Sequence, residues 1–350
     1  MAGAAVSDDA ASAVANGRPI VFRWTETGRI DALTVIQPSE KDQDQRRAAW
    51  MVSRRARETQ MQFQSSAGTR STSFIKLWRT VLHHIHFGPG GLHLPPLHRF
   101  LKNRTKNIRM MRRELTFPAL PSAFDGYTII HLSDMHFGEL DGIEDRIAEH
   151  LAGRAVDAVL ITGDYVDDFK STPDAIAVPM QKILGAINAR DGVFAVLGNH
   201  DSCRDVAALE ALGIRVLVNE SHVVERGEAR LVLTGTDDPS HFFEEEQAQA
   251  LMTAPAGFRI AMVHSAELAD YAENGGFSLY LSGHTHGGQV CLPGGRAILV
   301  DLKRFRDFGQ GMWSLGGMQG ITSHGAGASV IPYRVNCPGE IGDLLLRTAR

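Results

Sequence analysis

Five short blocks, met in one order along the chain, hold side chains able to bind metal ions. They are Ser133-Asp134-Met135-His136, Gly163-Asp164-Tyr165-Val166-Asp167, Gly198-Asn199-His200-Asp201, Val263-His264 and Gly283-His284-Thr285-His286. Asp134, Asp164, Asn199, His136, His264, His284 and His286 together make an oxygen and nitrogen donor set suited to two divalent ions side by side. Asp134 and His136 are two residues apart at the end of an extended run, so their side chains project to one side while Met135 faces the other. The same holds for His284 and His286, and Gly283 and Gly287-Gly288 allow a tight loop around them. A carboxylate has two oxygens and can bridge two ions, which a neutral imidazole cannot, so Asp164 is the natural bridge. Two divalent ions set against Asp134, Asp164 and a bridging hydroxide leave a surplus of about one positive charge, which an anionic phosphoryl group would satisfy. His200 is placed to protonate a leaving oxygen, with the adjacent Asp201 as the expected partner of its ring N–H. Other histidines read as ordinary: His131 as a packing residue inside a strand, His222 and His241 as surface groups, and Cys203 as a bystander.

A single D-x-H or H-x-H pair is common and carries little on its own. The elements around the blocks supply the rest. Short apolar runs at Tyr127–Leu132, Ala158–Ile161, Val193–Leu197, Leu231–Leu233, Arg259–Val263 and Phe277–Leu281 read as strands, and all but the Leu231 run end on one of the blocks. Helices are expected near Ile143 to Leu151, Pro173 to Asn188 and Arg204 to Leu212, which makes repeated β-α-β units. In such folds ligands bind beyond the carboxyl ends of the strands, so blocks at successive strand ends converge into one site.

The chain of 350 residues is 43% hydrophobic and 22% charged, enough for one large α/β domain from about Asn107 onward, residues 107–350. Ahead of it come an extension over 1–72 and a segment over 73–106. The first dozen residues read as disordered, Arg18 to Ile36 as a hairpin turning at Thr25–Gly28, Glu40 to Gln64 as a polar helix, and Ser65–Thr69 as a linker. The net charge of −4 gives generic nucleic-acid binding no support at the level of the whole chain, and none that is specific is expected. Between Phe74 and Arg113, however, there is no Asp or Glu, while nine Lys and Arg occur. Phe74, Leu77, Trp78, Val81, Leu82 and Ile85 fall at helical spacing there, so 74–87 reads either as an interfacial helix on an anionic membrane or as a helix packed on the catalytic domain. His83, His84, His86, His93 and His98 form no closed ligand set. Three scattered cysteines point to a reducing compartment. The N-terminus has no secretory pattern and no apolar run is long enough to span a bilayer. The expected location is cytoplasmic, with peripheral contact at the cytoplasmic face of the membrane if 74–113 binds there.

The ordered blocks resemble the calcineurin-like metallophosphoesterases, whose pattern runs D-x-H, G-D-x-x-D, G-N-H-D, H and G-H-x-H. The resemblance covers about Asn107 to the C-terminus. It implies a sandwich of two mixed β-sheets flanked by helices, with two metal ions at the strand ends. It also implies Asp134, His136, Asp164 and His286 as ligands of one ion, Asp164, Asn199, His264 and His284 as ligands of the other, and His200 as the catalytic histidine. Gly287-Gly288-Gln289, with Asn219-Glu220 and Asp237-Asp238, is similar to a bacterial branch that includes YkuE-like and YaeI-like phosphodiesterases and membrane-associated UDP-2,3-diacylglucosamine hydrolases. Two departures stand out: Ser265-Ala266 where this branch carries a proline two after the histidine, and His324 before Gly325, a position from which it could touch substrate. Asp167 occupies the position at which purple acid phosphatases place a tyrosine.

The expected reaction is hydrolysis of a phosphodiester or pyrophosphate by a hydroxide held between two ions. Imidazole-rich ligands without thiolates favour manganese, iron or zinc. A lipid-linked or nucleotide-sugar pyrophosphate, a cyclic or linear nucleotide diester, and a phosphomonoester or phosphoprotein are all compatible substrates. A noncatalytic scaffold that keeps the site is the alternative of another class, though it would be expected to have lost ligands.

Overall fold

The computed structural model describes residues 12–15, 18–24, 30–33, 40–66, 104–168 and 171–349. The expected turn at Thr25–Gly28, most of the linker, the 74–87 helix and the histidines between His83 and His98 lie outside the described residues. Contacts divide the chain into two compact units, 1–50 and 51–350. The first holds a three-stranded antiparallel sheet of β1 (Ser12–Ala15), β2 (Arg18–Trp24) and β3 (Ile30–Leu33), which includes the expected hairpin. Helix α1 (Glu40–Ser66) begins where the polar helix is expected and runs two residues further.

The larger unit is built on two six-stranded sheets. The first has the order β4 (Arg109–Phe117), β15 (Glu340–Thr348), β5 (Thr128–Leu132), β6 (Arg154–Ile161), β7 (Ile187–Ala195), β8 (Arg215–Val216). Only the β15–β5 pair is antiparallel. The second runs β13 (Gly311–Leu315), β14 (Met318–Thr322), β12 (Leu279–Ser282), β11 (Phe258–Met262), β10 (Ala229–Gly235), β9 (Glu220–Arg226), parallel in its centre with an antiparallel strand at each edge. Both sheets are mixed, as the resemblance implies.

The period of two along a strand explains how these sheets pack. Leu231 and Leu233, Ile260 and Met262, and Leu279 and Leu281 meet Ile129, Leu160, Phe194, Leu344 and Leu346 of the other sheet in one buried core. The alternate residues Ala261, Val263 and Tyr280 turn outward and are covered by Leu251 of α6 (Glu245–Met252) and by Ala269 and Ala272 of α7 (Ala269–Asn274). In the first sheet, Ile130, Leu132, Val159 and Ile161 are buried on the outer face as well. Helices α2 (Ile143–Leu151) and α3 (Pro173–Ala186), which pack on each other and bury Ile143, Ile147, Ile176 and Met180, follow β5 and β6 in the chain. A short α4 (Asp205–Ala211) follows β7, and α5 (Pro239–Phe242) follows β10. Helices α1, α2, α3 and α4 match their expected positions to within two residues. Among the described elements, strands β1, β4, β8, β9, β13, β14 and β15 and helices α5, α6 and α7 were not expected. Among the described residues no helix is long and apolar enough to cross a membrane, and all three cysteines are buried and unpaired.

Candidate metal centre

Each of the five blocks begins where a strand stops. β5 ends at Leu132, β6 at Ile161, β7 at Ala195, β11 at Met262 and β12 at Ser282, so the blocks gather at one end of the two sheets. The β10 strand also ends there, and Thr236-Asp237-Asp238 follows it into the same region, although its apolar run gives no hint of a block. The loops are stitched edge to edge. Asp134 N–H donates to Gly163 O at 2.9 Å, His136 N–H to Asp164 O at 3.2 Å, and Gly283 N–H to His264 O at 2.9 Å.

These loops need unusual backbone. Asp134, His136, Asp164, His284 and His286 all have positive φ, between 44° and 72°. The left-handed region is costly for non-glycine residues, and its concentration in five of the seven candidate ligands is the mark of a site that the surrounding fold holds under strain. Two glycines make the approach possible. A Cβ on Gly283 would press on Ser133 Oγ and Asp134 Oδ2, and one on Gly198 would press on the Asp164 carboxylate.

Asp134, His136, Asp164 and His286 are buried and each offers one atom, the four lying within 4.8 Å of one another. His136 Nε2 faces His286 Nε2 at 3.0 Å, and is 3.6 Å from Asp164 Oδ2. His286 Nε2 is 3.6 Å from Asp134 Oδ1. On the other side, Asn199 Oδ1 lies 3.0 Å from His264 Nε2 and 2.7 Å from His284 Nδ1. His264 Nε2 in turn lies 3.2 Å from Asp164 Oδ2. All seven candidates therefore fall into two adjoining groups that share one atom, Asp164 Oδ2. Its other oxygen, Oδ1, is taken by the His200 backbone N–H at 2.9 Å, which orients the carboxylate.

Does this donor set fit a pair of divalent ions? His264 Nδ1 is 2.7 Å from the Thr162 carbonyl, which only accepts, so that nitrogen carries a proton. Its Nε2 then points at the Asp164 carboxylate with either a lone pair or an added proton, and only positive charge between them makes the contact favourable. The titration tendencies agree. Burial opposes ionisation of every group here, yet His264 and His200 hold the Asp164 carboxyl well below its ordinary range. Against the same burial, Asp164 and Asp134 push His264 well up, and Asp167, Asp164 and Asp134 push His136 up. Burial and neighbouring cationic imidazoles push His284 and His286 down, towards the neutral form that can ligate. Positive charge is called for on both sides of Asp164 Oδ2, a requirement that two divalent ions meet, and the donor types suit them.

The residues around the ligands correct and extend the expectations. Asp201 is not the partner of the His200 ring. Its buried carboxylate instead accepts from the backbone N–H groups of Gly198 (2.7 Å), Asp164 (2.7 Å) and Tyr165 (2.8 Å), tying the second and third blocks together. Proximity in sequence misled here, because a carboxylate at the end of a turn is best placed to collect the turn's own N–H groups. The His200 ring belongs to Asp167: Nδ1 is 2.9 Å from the Asp167 carbonyl, and the Asp167 carboxylate makes a close charge contact, 3.0 Å, with His136 Nδ1. Asp167 thus orients two imidazoles, a role its place three residues after Asp164 did not announce. Arg334 was also missed. Buried, it donates to Gly327 O (2.7 Å), His324 O (2.6 Å) and His286 O (3.1 Å) from a distant loop, and no local signal could have found it.

Other singled-out residues fall into place. His131 is buried in β5 with Nε2 2.9 Å from Thr162 Oγ1, and burial with Arg113 nearby pushes its pKa down to about 3. His222 is half-buried, its ring 4.8 Å from that of Phe194, and His241 is exposed. His324 faces Cys337 Sγ at 3.7 Å and Glu340 Oε2 at 3.8 Å, and its ring packs close to Gly287 beside His286.

Residues 127–288 match the family described as calcineurin-like phosphoesterase. The chain is 29% identical over 270 residues to a "Transmembrane protein with metallophosphoesterase domain" of Danio rerio, a match covering 71% of this chain and 60% of that protein. It is 25% identical over 237 residues to the uncharacterized metallophosphoesterase YkuE of Bacillus subtilis, covering 65% of this chain and 82% of that one. With phosphodiesterase YaeI of Escherichia coli it shares 28% identity over 231 residues, covering 61% and 80%. The chain therefore spans only about three fifths of the length of the Danio rerio relative. With the ordered blocks, the two mixed sheets and this match together, residues 127–288 make up a calcineurin-like phosphoesterase domain.

Proposed function

We propose that the protein is a dimetal phosphoesterase acting on a phosphodiester or pyrophosphate. One observation carries the reading: a single carboxylate oxygen, Asp164 Oδ2, joins two groups of nitrogen and oxygen donors at 3.6 Å and 3.2 Å. Asp134, His136, Asp164 and His286 would hold one ion, and Asp164, Asn199, His264 and His284 the other. When bound, such ions supply Lewis-acid charge for a phosphoryl group and lower the pKa of water. The chain's own part is orientation and proton handling. With Nδ1 committed to the Asp167 carbonyl, His200 keeps Nε2 for a proton passed to the leaving oxygen. Its ring is 30% exposed, enough to meet a substrate entering from solvent. The diester preference draws on the relative named as a phosphodiesterase. Lipid-linked and nucleotide-sugar pyrophosphates, of the UDP-2,3-diacylglucosamine kind, fall in the same class, and the acid-free stretch from Phe74 to Arg113 favours a substrate at an anionic membrane surface. Manganese, iron or zinc suits the imidazole-rich donors.

Calorimetric titration of the chelator-treated protein with Mn²⁺ tests the site. About two equivalents are expected for the wild type and a large loss of affinity for both in Asp164→Ala, since both donor groups lose their shared oxygen. Titration of Asp164→Ala indistinguishable from wild type would defeat the assignment.

A further inference from the structure

Helix α1 lies far outside the residues that match the family, 127–288, yet part of it is spent on the loop that carries Asn199 and His200. The Arg54 side chain is fully buried. Its Nη2 donates to the carbonyls of both Gly198 (2.9 Å) and Asp201 (2.7 Å), the two peptide groups that bracket Asn199-His200. Nη1 donates to the Asp237 carboxylate, Nε to Glu58 Oε1 at 3.2 Å, and the guanidinium lies 3.4 Å over the Phe242 ring. Glu58, one helical turn on, grips the next part of the loop: Oε1 accepts from Cys203 N–H at 2.8 Å and Oε2 from Ser202 Oγ at 2.9 Å. Backbone from Gly198 to Cys203 is therefore held by two residues of α1 on one side and by the Asp201 carboxylate on the other.

We propose that Arg54 and Glu58 are positioning residues for the proposed catalytic loop, so that α1 is a working part of the site. This rests on the reading of Asn199 and His200 given above. The loop between β7 and α4 has no ladder of its own, and its two carbonyls would otherwise depend on water. A planar guanidinium offers donors in a fixed fork, which an ammonium on a flexible stem cannot reproduce. The i,i+4 spacing of Arg54 and Glu58 means that forming the helix assembles the fork before it meets the loop. The consequence for chemistry is steep, because a displacement of about 1 Å at reacting groups costs on the order of a hundredfold in rate.

The test uses the full chain as wild type, Arg54→Lys and Glu58→Gln, with Arg57→Ala as a control on a half-exposed residue of α1 that contacts Phe243 O and Glu244. Hydrogen–deuterium exchange is followed over 198–203, with β6 as internal reference, alongside kcat and KM on an aryl phosphodiester with saturating Mn²⁺. Expected for Arg54→Lys and Glu58→Gln are unchanged β6 protection, about tenfold faster exchange in the loop, and kcat lower by about tenfold or more at a KM within about twofold. Arg57→Ala should match wild type. Should Arg54→Lys fail to fold, Glu58→Gln decides alone. With an active wild type, either loop exchange or kcat left at the wild-type level overturns the proposal. A wild type without metal-dependent turnover defeats the phosphoesterase reading instead, and loop exchange by itself then decides whether α1 positions the loop.

Discussion

Asp167 shows how much of this site depends on atoms that are not ligands. Its carbonyl fixes the His200 ring and its carboxylate faces His136 Nδ1, so one residue sets the direction of two imidazoles. Replacing it with Ala keeps the carbonyl but removes the carboxylate, and should weaken metal affinity or turnover by about 10- to 100-fold, measured by Mn²⁺ titration and initial rates. Wild-type values for Asp167→Ala would mean that His136 needs no such support. Asp201 makes the opposite prediction. Because its carboxylate receives three backbone N–H groups, Asp201→Asn turns a donor toward donors and should destabilise the fold by about 1–3 kcal/mol, read from chemical denaturation. The ligand types and spacings were legible because D-x-H, G-N-H and G-H-x-H are local patterns. Asp201's true partners and Arg334's reach were not, since each depends on where distant backbone lies.

Among the elements, the strands that feed the blocks were legible for a physical reason: buried on both faces, they are nearly continuous apolar runs. The strands that escaped notice are of another kind. β4 carries Arg109, Arg112 and Arg113 on a half-exposed edge, and its polar texture hides its pairing. β15 sits between β4 and β5, yet Gly342 interrupts its apolar alternation where the backbone comes close to His131, and its partners lie more than 200 residues back in the chain. Because β15 joins β4 to the rest of the sheet, its core side chains matter beyond their number. Leu344→Ala, at a fully buried position facing both sheets, should cost about 2–5 kcal/mol in denaturant unfolding. A loss under about 0.5 kcal/mol would show that β15 is peripheral to the core.

At the scale of the whole molecule, the proposed function assigns chemistry and recognition to different parts of the chain. On that proposal the strand-end blocks carry the phosphoryl chemistry and leave the substrate open, and the cationic stretch from Phe74 to Arg113 would favour meeting it at an anionic surface. Sedimentation with vesicles containing anionic lipid should recover the full chain, and a Lys76→Gln, Arg79→Gln variant should bind less, by about 1 kcal/mol for each charge removed. Equal binding by the two would count against an anionic membrane partner. The central claim is that turnover depends on divalent ions held by the strand-end residues. Its most direct measurement is the rate of hydrolysis of a generic aryl phosphodiester by the wild-type chain, after chelator treatment and again after Mn²⁺ is restored. The account predicts a rate that vanishes with the chelator and returns with the metal; a rate that persists without metal, or no rate with it, would contradict it.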